Sequence, residues 1–194
     1  MSVAKEIEEL ARTIKACRLC PLWRKRKNAV PGEGSLNPRV FFIGEAPGES
    51  EDLAGKPFVG KAGKVLDELL ASVGLKRSEV FITNVVKCRP PGNREPSEEE
   101  IRACSPYLER QLSLLKPRVI ATLGRVALAW CCKHFGLKDM RISRVHGKVF
   151  DVKASYGNAK LVALYHPAVA VYNPGMKGVL FQDFKALKRV FDFT

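Results

Sequence analysis

The sequence predicts an α/β fold, a single-domain α/β/α sandwich over residues 1–194 with a central, mainly parallel four-stranded sheet. Three observations carry this expectation. Short apolar runs, of strand length, alternate with longer segments whose apolar residues recur at helical spacing. The apolar runs read as buried strands, which suits a parallel sheet with helices on both faces. The loops that follow them carry polar residues, and in such sheets ligands bind beyond the carboxyl ends of the strands.

The elements follow in chain order. Ile7, Leu10, Ala11 and Ile14 fall on one helical face, predicting a helix over 3–15. "RVFFIG" (39–44) reads as the first buried strand. Ala62, Val65, Leu66, Leu69, Leu70 and Val73 then share a face of a helix over 61–73, and "EVFITNVV" (79–86) is the next strand. After the Pro-rich "CRPPGNREP", Ser97 and Glu100 form a capping box for a helix to about Leu115. "RVIATLG" (118–124) is a third strand, followed by an apolar helix from Val126 to Phe135. Region 145–165 reads as a β excursion, "GKVFDV" and then "KLVALYH", and Leu180, Phe184, Leu187 and Phe191 place a last helix. Three loops leave the strand ends with polar cargo: "GEAPGESED", "TNVVKC" and "YHPAVAVYNPG".

The 33 Lys+Arg against 20 Asp+Glu give a formal charge of +13, which points to a polyanion, nucleic acid before anionic membrane. The run Arg24-Lys25-Arg26-Lys27 reads as a solvated loop within reach of phosphates. No apolar run approaches the roughly 18 residues of a membrane span, and "MSVAKEIEEL" has no signal-peptide core, so a cytoplasmic protein is expected. In that compartment six cysteines argue for metal ligation or buried thiols over disulfides.

Cys17-x-x-Cys20 is half of a metal site, and Cys88 and Cys104 can complete it. Cys104 shares a helical face with Ile101, Leu108, Leu112 and Leu115, so it points inward. Spacing alone leaves tetrahedral zinc and an iron–sulfur cluster both open. Cys131 and Cys132, inside "ALAWCCKHF", read as buried small hydrophobes.

Five segments in order, "CRLCPL", "GEAPGESED", "GKPFVGKAG", "TNVVKCRPPGNREP" and "YHPAV", span residues 17–169. Together with the later Cys104 they resemble the family 4 uracil-DNA glycosylases, the thermostable iron–sulfur type. The resemblance implies a monofunctional glycosylase that flips uracil out of DNA and hydrolyses its N-glycosidic bond, initiating base excision repair. It also implies a [4Fe–4S] cluster on Cys17, Cys20, Cys88 and Cys104. The expected partner is uracil-containing DNA, single- or double-stranded, with the enzyme acting as a monomer away from membranes. A glutamine count of two, Gln111 and Gln182, fits a thermophile. Two rivals differ in class: a non-catalytic metal-bound nucleic-acid module, and a glycosylase of wider range acting on thymine mismatches or deaminated purines.

Excision needs a stacking surface, an edge reader, a stabiliser for the departing anion, a group favouring the sugar cation, and a water. Phe58 in "GKPFVG" offers the stacking face. Asn84 ends a strand and can accept from uracil N3–H while donating to O4, the reverse of what cytosine presents. His166, at a strand end before Pro167, is placed to hydrogen-bond O2, as a neutral donor or as a cation. Glu45 favours the sugar cation or holds its loop, and Ala46 stands where family 1 enzymes carry a water-positioning Asp. Ala46 and Pro47 give backbone contacts to the base, Gly48 keeps the turn open, and Glu51 crowds the C5 position against thymine. Arg89, Arg94 and the 24–27 run face DNA phosphates. The loop after His166, with Val169, Ala170, Val171 and Tyr172, pushes into the emptied stack.

Overall fold

A computed structural model describes residues 1–193. Helix α1 (Val3–Ala16) starts where Ser2 Oγ accepts from the Lys5 N–H at 3.3 Å, and it turns Ile14 into the core. Strands β1 (Glu33–Gly34) and β2 (Phe41–Gly44) follow, then the short α2 (Glu49–Ala54) and α3 (Lys61–Ser72). Next come β3 (Phe81–Asn84), α4 (Glu98–Leu115), β4 (Val119–Leu123) and α5 (Arg125–His134). The chain closes with α6 (Ile142–Val145), β5 (Val149–Ala154), β6 (Gly157–Leu164), α7 (Ala168–Tyr172) and α8 (Lys177–Phe191). The expected capping box forms: Ser97 Oγ accepts from Glu100 N at 3.2 Å and Glu100 Oε2 from Ser97 N at 2.8 Å.

The sheet runs β1-β3-β2-β4-β6-β5. The four expected strands are its parallel centre, β3-β2-β4-β6. Two antiparallel edges, β1 on β3 and β5 on β6, extend it to six strands. Alternation along β2 explains the layers. Phe41 and Ile43 pack with α1, α4 and α5 residues such as Ile14, Leu108 and Ala127. Phe42 faces the other way, into Leu66 and Leu70 of α3 and Phe184 and Leu187 of α8. Each of these fully buried side chains contributes about 1.5–3 kcal/mol of apolar burial, so both faces of the strand are fixed.

From β2 the chain passes to β3 on one side, then returns across to β4 on the other. That reversal opens a crevice at the carboxyl end of β2, the place where doubly wound sheets take ligands.

Candidate active site and cysteine cavity

A cleft of about 320 Å³ occupies that crevice. Glu45, Ala46, Pro47, Gly48, Glu51, Phe58, Asn84 and His166, drawn from the ends of β2, β3 and β6, from α2 and from the loop beyond it, all line it. Its size suits a small heterocycle and its sugar.

Asn84 ends β3 and is 2% exposed. Its Oδ1 is the one fully buried side-chain N or O atom among the described residues with no hydrogen-bond partner. Such an atom costs about 1–3 kcal/mol, and a ligand donor removes the penalty. Glycine at 44 makes its placement feasible: a Cβ there would come 2.4 Å from Asn84 Oδ1 and 2.9 Å from the Phe58 ring. Phe58 itself sits at φ +49°, a strained conformation for a bulky residue. Arg77 holds it there, donating to Pro57 O at 2.7 Å and Phe58 O at 3.1 Å. Gly63 allows the same loop to approach α3, since a Cβ would lie 1.9 Å from Phe58 O.

The His166 ring lies 5.5 Å from that of Phe58, inclined by 29°. Its Nδ1 accepts from the Ala168 N–H at 3.1 Å, so the neutral ring carries its proton on Nε2. Burial pushes the His166 pKa down to about 4, against the opposing pull of the Glu51 carboxylate. The choice between neutral donor and cation that the sequence left open therefore falls to the neutral form. The Glu45 carboxyl is raised by burial, with Arg125 opposing, and no hydrogen bond engages it among the described residues.

Burial revises one expectation, and bonding adds detail to others. Glu51 lines the cleft with its carboxylate held by backbone: Oε1 accepts from Gly48 N at 3.0 Å, and Oε2 from Val59 N at 3.0 Å and Gly60 N at 2.8 Å. It braces the cleft wall. The loop after His166 is the short helix α7, and it buries Ala170 to 7% exposure against the α3/α8 layer. Ala170 therefore cannot enter a base stack, and half-buried Val169 packs on the same layer. Tyr172, 88% exposed and lining the cleft, is the residue of that segment free to do so. Arg94 lines the cleft but pairs bidentately with Glu100, at 2.7 and 2.9 Å. Arg89 is half-buried and donates to Asn93 Oδ1 at 2.7 Å. Arg26 turns away from solvent phosphates altogether, towards the cysteines.

Cys17, Cys20, Cys88 and Cys104 line one cavity, walled otherwise mainly by apolar and aromatic groups such as Ile14, Leu22, Trp23 and Tyr107. Arg26 donates to Cys88 Sγ at 3.2 Å, and the Lys87 N–H to Cys104 Sγ at 3.3 Å. Burial pushes the Cys104 thiol up to about 11 and raises those of Cys20 and Cys88. Cys131 and Cys132 are buried elsewhere, in α5. A four-sulfur donor set with N–H groups aimed at two of the sulfurs fits a thiolate-bound cluster.

Sequence reasoning passed over Lys87 and Gln111, both buried beside Asn84. The available signal was a lysine inside the otherwise apolar run "NVVKC".

Cleft and fold together define a protein of the uracil-DNA glycosylase class: the profile of the "Uracil DNA glycosylase superfamily" matches residues 31–188. Within it the chain belongs to the type-4 uracil-DNA glycosylase family. It is 50% identical to the "Type-4 uracil-DNA glycosylase" of Saccharolobus solfataricus over 94% of its length and 85% of the relative's. The protein of the same description from Archaeoglobus fulgidus is 46% identical over 94% of this chain and 92% of its own. A "Type-5 uracil-DNA glycosylase" from Thermus thermophilus is 36% identical over 82% of this chain and 85% of its own.

Proposed function

We propose that this chain excises uracil from DNA by hydrolysing the bond between the base and its deoxyribose. One observation carries the reading: the unpartnered Asn84 Oδ1, buried in a cleft beside Phe58 and His166. Uracil N3–H supplies the missing donor, and the Asn84 amide N–H donates to O4. Phe58 covers the ring face. His166 Nε2–H donates to O2, where negative charge collects as the glycosidic bond lengthens, so that hydrogen bond strengthens towards the transition state. Glu45 takes a proton from the attacking water and, as an anion, favours the sugar cation. Glu51 keeps the cleft rigid by holding three backbone N–H groups. Tyr172 fills the gap left in the stack, and the net positive charge draws the phosphate backbone in.

Asn84→Asp tests the edge reader. It replaces the donor facing O4 with an acceptor, so the ratio of uracil to cytosine excision should fall by roughly 10- to 100-fold. Release of each base from otherwise identical duplexes measures it; an unchanged ratio would remove Asn84 from recognition.

We further propose that the four-cysteine cavity holds a [4Fe–4S] cluster, on Cys17, Cys20, Cys88 and Cys104. The four cysteines share one cavity, with N–H groups aimed at two of the sulfurs, and the resemblance to the family 4 enzymes favours the cluster over zinc. When bound it supplies cross-linking, tying the end of α1 to α4 and to the loop after β3, and it takes no part in the hydrolysis. Cys88→Ala should abolish a broad absorbance near about 400 nm and lower the melting temperature, while Cys131→Ala should keep the absorbance. Spectra of the two variants, purified without oxygen, decide it; a colourless wild type with one bound zinc would contradict the cluster.

A further inference from the structure

Lys87 is 1% exposed, yet no carboxylate pairs with it among the described residues. Its Nζ lies 2.6 Å from Thr83 Oγ1, 2.7 Å from the Asn84 carbonyl oxygen and 2.8 Å from Gln111 Oε1. The carbonyl oxygens of Asn84 and Gln111 can only accept. Gln111 Nε2 donates to Pro31 O at 2.7 Å, which fixes which end of that amide faces Lys87. The Thr83 hydroxyl donates its one hydrogen to the same Pro31 O at 2.8 Å, so towards Lys87 it too accepts. Three acceptors converge on Nζ and match the three N–H donors of an ammonium, against the burial that pushes the Lys87 pKa down to about 7.

This closed network grips the backbone of Asn84. Lys87 holds its carbonyl, and the next two peptides are pinned to the end of β2, Val85 N to Gly44 O at 2.9 Å and Val86 N to Glu45 O at 3.1 Å. The grip opposes a definite force. An orphaned buried oxygen costs about 1–3 kcal/mol, so a loose strand end would rotate to satisfy Asn84 Oδ1 from within the protein. Here the donors on the strand end itself, Val85 N, Val86 N and Lys87 Nζ, are already committed.

We infer that Lys87 is a positioning residue for base recognition: with Thr83 and Gln111 it clamps the strand end so that Asn84 meets the base with its amide already aimed. The inference rests on Asn84 being the base reader. Preorganisation of this kind acts on the chemical step more than on association with the duplex.

Lys87→Met keeps the length of the side chain and deletes its three donors. Lys87→Met combined with Gln111→Leu removes a stranded acceptor as well, and should recover much of the lost melting temperature. If the clamp aims Asn84, the double variant regains stability without regaining activity: single-turnover uracil release stays roughly 10- to 100-fold below wild type, while affinity for uracil-free duplex and absorbance near about 400 nm are unchanged. Thr83→Val, isosteric but unable to accept from Lys87, should slow release several-fold, and Thr83→Ser, which keeps the hydroxyl, should restore it. The Thr83 pair carries the test if the Lys87 variants do not fold. Wild-type release by a folded Lys87 variant, or by Thr83→Val, overturns the inference. Asn84→Ala run alongside separates the two levels. If it too releases uracil at the wild-type rate, the base-reader assignment has failed; if it is inactive while the clamp variants are not, the clamp alone has failed.

Discussion

Glu45→Gln is expected to slow single-turnover uracil release by roughly 10²- to 10⁴-fold, the range for loss of a positioned general base. Affinity for uracil-containing duplex should change little, because the amide keeps the shape of the carboxyl. Of the cleft's carboxylates, Glu51 is fully engaged by three backbone N–H groups and Glu49 is exposed to solvent. Ala46 supplies no acid. Glu45 is left half-buried with a raised pKa, caused by burial and opposed by Arg125, and a more basic carboxylate takes a proton from water more readily. Protonation below that raised pKa removes both base and anion. The wild-type rate should therefore fall as pH drops through it, and Glu45→Gln should lose that acid limb. A variant with the wild-type rate would leave the water to another group.

His166→Ala should lower the same rate by about 10²-fold, the lower end for one oxyanion-type donor, with a much smaller loss of affinity for uracil-containing DNA. The charge it meets on O2 grows only as the bond breaks. Because burial holds His166 near a pKa of about 4, the rate should show no step around 6.5 from this residue. The same shift has a consequence for stability. Between about 4 and 6.5 the unfolded chain binds the proton that the folded His166 refuses, so stability rises with pH across that window and falls as pH drops through it. His166→Ala should flatten this dependence in thermal melts taken from pH 4 to 7. Equal losses of binding and rate would place His166 in ground-state recognition instead.

The parallel centre of the sheet was legible because strands buried on both faces leave continuous apolar runs: Phe41 to Ile43 and Val119 to Leu123 are at most barely exposed. The same signal overshot β3, since Val85 and Val86 stay buried after the ladder ends, packed on the α1/α4 side. The edge β1 is two residues long, too short for any period to register. Helix α7 hid in a small, β-branched stretch, "AVAVY", where Pro167 ahead of the first turn was the better guide. In the site, residue type at a strand end announced Asn84 and His166. What a side chain is bonded to is a tertiary fact, however. Nothing local shows that the Glu51 carboxylate is taken by Val59 and Gly60, or that Arg26 leaves a basic run to reach Cys88.

The measurement that bears most directly on the function is free uracil counted against uracil sites, after incubating the purified chain with uracil-containing duplex in chelator and without added metal. One free base per site, with the matched uracil-free duplex left intact, is the predicted result. Tight binding of the uracil-containing duplex with no free base released would contradict it.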